Sequence, residues 1–311
     1  MRPALKTTRP TRTVRTIADI HAIEAHPYDE QVTARNLYDL FRATSQLVPH
    51  GPALTVLRSG DPDDAGLALT HSALLAEITR SANLFRSLGI APGSGVVAFL
   101  APTLPQLPAM LLGAQVAGVA STLNYLLSTD ALADLLDAQS ATVLIAPEPA
   151  LDETCWAKAL ALMQRVASLR TLLVIGRAET GRSVDDALSE HRSDALAFEP
   201  SSDRNTVCAL FHTGGTTGRP KLVQLTHGNQ IHGAWGFAQV FGYDEHDVIV
   251  NGFPFFHVGG TITAGLSVLS AGGHVVVPSP YALRPPEVVK AYWDIVRRFR
   301  ATVVSGVPTS I

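Results

Sequence analysis

TVCALFHTGGTTGRPKLVQLTHGNQ, residues 206–230, is the stretch on which the fold turns. TVCALF (206–211) is a short apolar run bounded by polar residues, and it reads as a strand. A glycine–threonine loop follows, ending in Pro220 and Lys221, and a helix is expected from about Thr226. Strand, loop and helix in succession are the building unit of an α/β fold with a mainly parallel sheet.

The same alternation runs outward on both sides. Upstream, Leu74, Ile78, Phe85 and Leu88 mark an amphipathic helix over 70–88, which Gly89 stops. Strands are expected at GSGVVAFLAP (93–102), ATVLIAP (141–147) and TLLVIGR (171–177), with helical residues up to about Val119 and again over 156–166. Downstream, strands are expected at DVIVNGF (247–253), GHVVVP (273–278) and ATVVSG (301–306), the last as a buried strand. Helices are expected near 260–271 and 286–299, and the polar stretch 177–205 reads as a surface connection.

Composition narrows the function classes. Of 311 residues 46% are hydrophobic, ample for a core, and only 16% are charged, against about 25% in typical soluble domains. A net charge of -3 gives no electrostatic case for nucleic acid or an anionic membrane. Cys155 and Cys208 are too far apart in sequence for a metal-type pair. A reducing, cytoplasmic setting is the expectation. Arg2, Lys6, Arg9, Arg12 and Arg15 form a basic opening without the apolar core of a secretory signal, so a mobile arm is expected. LPAMLLGAQVAGVA (107–120) contains Pro108 and Gln115 and is too short to span a bilayer; it reads as a buried helix.

The loop itself has a chemical logic. Gly214, Gly215 and Gly218 let the backbone turn and let a ligand come close. Successive turn residues aim several N–H groups at one point and so bind anions. Thr213, Thr216 and Thr217 add hydroxyls, and Lys221 adds a positive charge. The segment therefore reads as a cradle for phosphates, with a following helix N-terminus as further support. Arg219 and Pro220 separate Gly218 from Lys221, which excludes the Walker A pattern, and the glycine spacing excludes GxGxxG.

Residues 213–221 resemble the signature of the AMP-forming adenylating ligases: acyl-CoA synthetases, luciferases and the adenylation domains of peptide synthetases. LTHGNQ (225–230) resembles the continuation of that signature. Gly214 stands where the family pattern has serine, and Leu222 where it has glycine, a change expected to affect packing of the following helix. PFFHVGG (254–260) is similar to the family's histidine segment. The resemblance implies that His257 faces the reacting carboxylate as the catalytic residue. It also implies that Val258, Gly259, Gly260 and Thr261 line the adenosine and acyl pockets. A magnesium ion would ride on the ATP phosphates beside Thr213. Weaker likenesses lie at 69–100, 117–132 and 304–311; in the first, Ala73 replaces the glutamate that would complete a capping box with Thr70. Outside these motifs, His227 and His232 are read as structural, since their spacing of five suits no shared helical face and no HExxH occurs.

The implied fold is α/β, with layered sheets flanked by helices, as in the N-terminal subdomains of an acyl-CoA synthetase. The expected organisation is a basic arm and lead-in over 1–34, a first α/β subdomain over 35–200, and a second, incomplete one over 201–311 carrying the loop. The 311 residues contain no Gly-Tyr-Gly-x-Thr-Glu segment, and the C-terminal domain of the family is expected to be absent. The implied activity is ligation of a carboxylic acid, fatty or aromatic, to CoA through an acyl-adenylate, with ATP, Mg and CoA. The isolated chain is expected to be a poor ligase and to self-associate or need its missing part in trans. The competing class is a non-catalytic fragment that binds nucleotide or a partner polypeptide.

Overall fold

The computed structural model describes residues 5–177, 179–213 and 221–307. In chain order the strands are β1 (Pro52–Val56), β2 (Leu67–Thr70), β3 (Val96–Phe99), β4 (Val119–Thr122), β5 (Val143–Pro147), β6 (Thr171–Ile175), β7 (Arg182–Ser183), β8 (Val207–His212), β9 (Leu222–Thr226), β10 (Val248–Asn251), β11 (His274–Val277) and β12 (Val303–Ser305). They form two sheets. One has the order β12-β10-β11-β1-β2, the other β7-β6-β5-β3-β4-β8-β9. Both are parallel except at one edge, where β2 and β9 run antiparallel to β1 and β8.

Period-two alternation along the strands sets the layers. Val97 and Phe99 of β3 join Leu54, Val56, Val275 and Val277 in one core between the sheets. The alternate residues Val96 and Ala98 enter a second core with Leu132, Leu136, Ala159 and Leu162 of the helices Thr129–Ala138 and Pro149–Arg165. Val250 and Val276 enter a third, against Val288, Tyr292 and Ile295 of the helix Pro286–Phe299. The result is helix, sheet, helix, sheet, helix. The central helical layer includes Leu107–Ala117, in which only Leu112 is not buried, so an all-round apolar segment finds apolar partners on every side. It crosses the helix His71–Ser87 closely: a Cβ on Gly113 would lie 2.5 Å from Ser81 Cβ.

Each sheet takes strands from both sides of residue 200, because β8 and β9 extend the sheet of β3–β7 while β10–β12 pair back to β1. Three expectations need correction. The glycine loop lies between two strands, and the helix His227–Phe241 starts only after β9. Leu222 is accordingly a strand residue, packed on the second core rather than in the helix. The opening arm is docked from residue 6 to residue 9. Thr8 is buried, its N–H donates to Ser270 O (3.0 Å), its hydroxyl bonds Ser270 Oγ (2.7 Å), and its carbonyl accepts from Gln239 Nε2 (2.8 Å). Arg9 pairs with Glu245 at 2.8 Å. Finally, β12, expected as a buried strand with an open edge, lies at the edge of its sheet among the described residues, but Val304 is 43% exposed rather than buried.

Candidate functional site

The C-terminal ends of parallel strands are where open α/β sheets leave a crevice for ligands. Here the ends of β4, β8 and β10 converge. After β8 the chain reaches Thr213, whose N–H donates to Lys221 O at 2.9 Å and closes the mouth of the β8–β9 hairpin. Thr213 and Lys221 are both exposed. Gly214, Gly215, Thr216, Thr217 and Gly218 lie outside the described residues.

After β10 a tight turn carries His257. Its scaffold is Asn251, fully buried: Oδ1 accepts the Phe253 N–H at 3.1 Å and Nδ2 donates to Gly260 O at 2.9 Å. Inside this frame the His257 N–H donates to Pro254 O (3.1 Å), and His257 O accepts from the N–H groups of Gly260 (3.0 Å) and Thr261 (3.1 Å). A Cβ on Gly260 would stand 2.5 Å from Pro254 O, so this position admits no side chain. His257 is exposed, and its Nδ1 accepts the Gly259 N–H at 3.0 Å. The neutral ring therefore carries its proton on Nε2. A π-helix, Gly259–Leu266, follows; such wide turns often occur at functional sites.

The four expected pocket residues divide. Val258 is 38% exposed beside His257, and Gly259 is half-buried. Gly260 and Thr261 are buried, and Thr261 lines a small enclosed cavity behind the turn with Phe255, Leu266, Leu111 and Gln115.

The hairpin and the turn meet through His212, which no sequence argument singled out. Its ring stacks on Phe256 (centroids 6.3 Å apart, planes at 24°), and Phe256 in turn meets Tyr125 edge-on at 5.4 Å. His212 Nε2 accepts the Asn124 N–H at 3.1 Å, which ties the hairpin to the loop after β4. Burial, and then the nearby charge of His257, hold the His212 pKa below its ordinary value. Asn251 was missed as well; an Asn ending a strand before Gly252 is a turn signal in itself.

His227 and His232 sit as expected of structural residues. His227 is buried, its Nδ1 accepts the Leu37 N–H at 3.4 Å, and burial pushes its pKa down to about 4. His232 packs against Tyr28 and Trp235. The acidic trio Asp244, Glu245 and His246 lies before β10, at the opposite end of that strand from His257, and Glu245 is engaged by Arg9. A magnesium ion bound chiefly through substrate phosphates needs few protein ligands, and the exposed Thr213 hydroxyl fits that requirement. Among the described residues no helix is long and apolar enough to cross a membrane.

Known proteins resemble the chain throughout this region. The marinolic acid–CoA ligase of Pseudoalteromonas sp. (strain SANK 73390) is 28% identical over 308 residues, which is 95% of this chain and 46% of the relative. A crotonobetaine/carnitine–CoA ligase of Salmonella agona (strain SL483) is 29% identical over 251 residues, 78% of this chain and 46% of the relative. The chain thus spans about half the length of the curated relatives it matches. The fold matches the crystallised N-terminal domain of FACL13 from Mycobacterium tuberculosis, with TM-score 0.74 at 22% identity, covering 89% of this chain and 64% of that one. It also matches MbtA from Mycobacterium smegmatis, with TM-score 0.76 at 22% identity, covering 96% and 52%. Residues 41–311 match the AMP-binding enzyme family, to which this chain belongs.

Proposed function

We propose that this chain is the N-terminal part of an ATP-dependent, AMP-forming acyl-CoA synthetase. The observation that carries the reading is the junction of hairpin and turn: His212, next to the loop, stacks on Phe256, next to His257. Two segments some forty residues apart in sequence thereby face one crevice. In this reading the phosphates of ATP sit against residues 213–218 and Lys221, with Thr213 near a magnesium ion when one is bound. That ion would neutralise phosphate charge. His257 presents its Nε2–H to the carboxylate of the acid and holds it for attack on the α-phosphorus. The new bond joins the carboxylate oxygen to that phosphorus, and pyrophosphate leaves with the electron pair of the broken P–O bond. CoA thiol displaces AMP in the second half-reaction. What these residues supply is orientation and charge stabilisation. Val258 and Gly259 border the acid, and the aromatic residues Phe253 and Phe256 close to His257 in the turn favour a fatty or aromatic acid over an amino acid.

Isothermal titration of magnesium–ATP into the chain tests the reading. Binding is expected, and Lys221→Ala should weaken it about tenfold or more, as for loss of a charged hydrogen bond. ATP binding that is indifferent to Lys221 would overturn the phosphate site.

A further inference from the structure

We infer that His212 is a ligand-binding residue of this crevice, its Nδ1–H donating to an anionic oxygen, phosphate or carboxylate, held beside His257. The inference rests on the function proposed above and adds a residue and a proton to it.

The geometry fixes the proton. Nε2 accepts the Asn124 backbone N–H at 3.1 Å, so it carries no hydrogen. A neutral imidazole with an accepting Nε2 is protonated on Nδ1. Among the described residues none accepts from Nδ1, and the ring as a whole is half-buried. The ring cannot swing away, because Phe256 stacks on one side of it and the Asn124 bond pins its far edge. His212 lies one residue before Thr213, whose N–H is bonded to Lys221 O, and the charge of His257 reaches it from the turn after β10. The titratable group that reaches it is thus His257. Burial favours the neutral ring. A neutral donor beside His257 adds a directed hydrogen bond without adding repulsion. The paired tautomers are complementary: His257 offers Nε2–H and His212 offers Nδ1–H.

Two side chains separate donation from mere anchoring. Asparagine places an N–H near the position of Nδ1 but cannot reach the Asn124 N–H. Glutamine places an oxygen near the position of Nε2 and keeps that anchor, but offers no donor at Nδ1. Magnesium–ATP and benzoate, titrated separately into the full chain, distinguish phosphate from carboxylate as the source of the oxygen. For whichever probe it serves, His212→Gln and His212→Phe should weaken binding about tenfold, while His212→Asn should stay within about threefold of the parent. Retention in His212→Gln with loss in His212→Asn would overturn the inference and leave His212 as an anchor only. Loss of ATP binding in Lys221→Ala with every His212 variant at the parent affinity would sink this inference and leave the phosphate site standing. A readout independent of any ligand is the imidazole nitrogen NMR spectrum: His212 should show the Nδ1–H tautomer, and an Nε2–H signal would overturn the proposal even if the variants failed to fold.

Discussion

Asn251 shows how much one side chain can hold. It has no exposed surface, and both ends of its amide are bonded to the turn that presents His257. Asn251→Ala would leave the Phe253 N–H and the Gly260 carbonyl without these partners, at about 1–3 kcal/mol for each buried group left unmade. A chemical denaturation curve should show a loss of that order, and ATP binding at fixed temperature should weaken through the displaced turn. Buried histidines make a second case. His227 and His274 are both held down to about 4, His227 by burial, His274 by burial and then by the charge of His71. The folded form disfavours their charged state, so their contribution is fully present above the unfolded value near 6.5 and is lost as pH falls from there towards 4. Each should remove on the order of 3 kcal/mol across that window. Denaturant midpoints measured at pH 7, 5.5 and 4.5 should fall steeply, and His227→Gln should flatten the slope; a flat parent profile would show that neither ring is neutral by burial.

Among the elements, the helix after β9 explains part of the sequence signature. Thr226 is its N-cap: its hydroxyl accepts the Asn229 N–H at 3.1 Å, while the Asn229 side chain accepts the Thr226 N–H at 3.0 Å. LTHGNQ is thus a capping box built with Asn in place of Glu. Thr226→Ala should cost about 1 kcal/mol. Asn229→Ala should cost a similar amount, and the double variant less than the sum, because both remove the same reciprocal pair. Thermal melts of the three variants give the coupling. At Thr70 only half the box forms: its hydroxyl accepts the Ala73 N–H at 3.2 Å and nothing returns from Ala73. The helix expected over 260–271 exists, but opens as the π-helix Gly259–Leu266 before the α-helix Ser267–Ala271. The spacing does not reveal that change of winding, because six of the eight residues of Gly259–Leu266 are buried and no polar face marks the period.

At the scale of the molecule, the two sheets are interleaved along the chain, so neither closes without strands from the other half. A single cooperative unfolding transition is expected by fluorescence and far-UV circular dichroism alike. Non-coincident curves would mean that the sheets unfold separately. The docked arm adds to this unity by joining Thr8 to Ser270 and Gln239, and Arg9 to Glu245. Deleting residues 1–10 should lower the melting temperature by several degrees, because each buried hydrogen bond contributes about 1 kcal/mol. An unchanged melt would return the arm to the mobile role expected from its charge.

The sequence by itself determined the class of fold and most helices and strands, and it carries both motifs from which the site is proposed. These are local properties: apolar period fixes helix or strand, and the motifs are read from residue types adjacent in the chain. Pro286–Phe299 matches its expected span from end to end because a strongly amphipathic run with proline at its start has no local competitor. Only the tertiary structure decided which strands pair, that β9 returns antiparallel to β8, and that Thr8 is buried. Strand pairing depends on contacts far apart in sequence, and the same short apolar run suits an edge or a centre. His212 belongs to this second group. Its role comes from a hydrogen bond across 88 residues and a ring 44 residues further on, and no neighbour in the chain announces either.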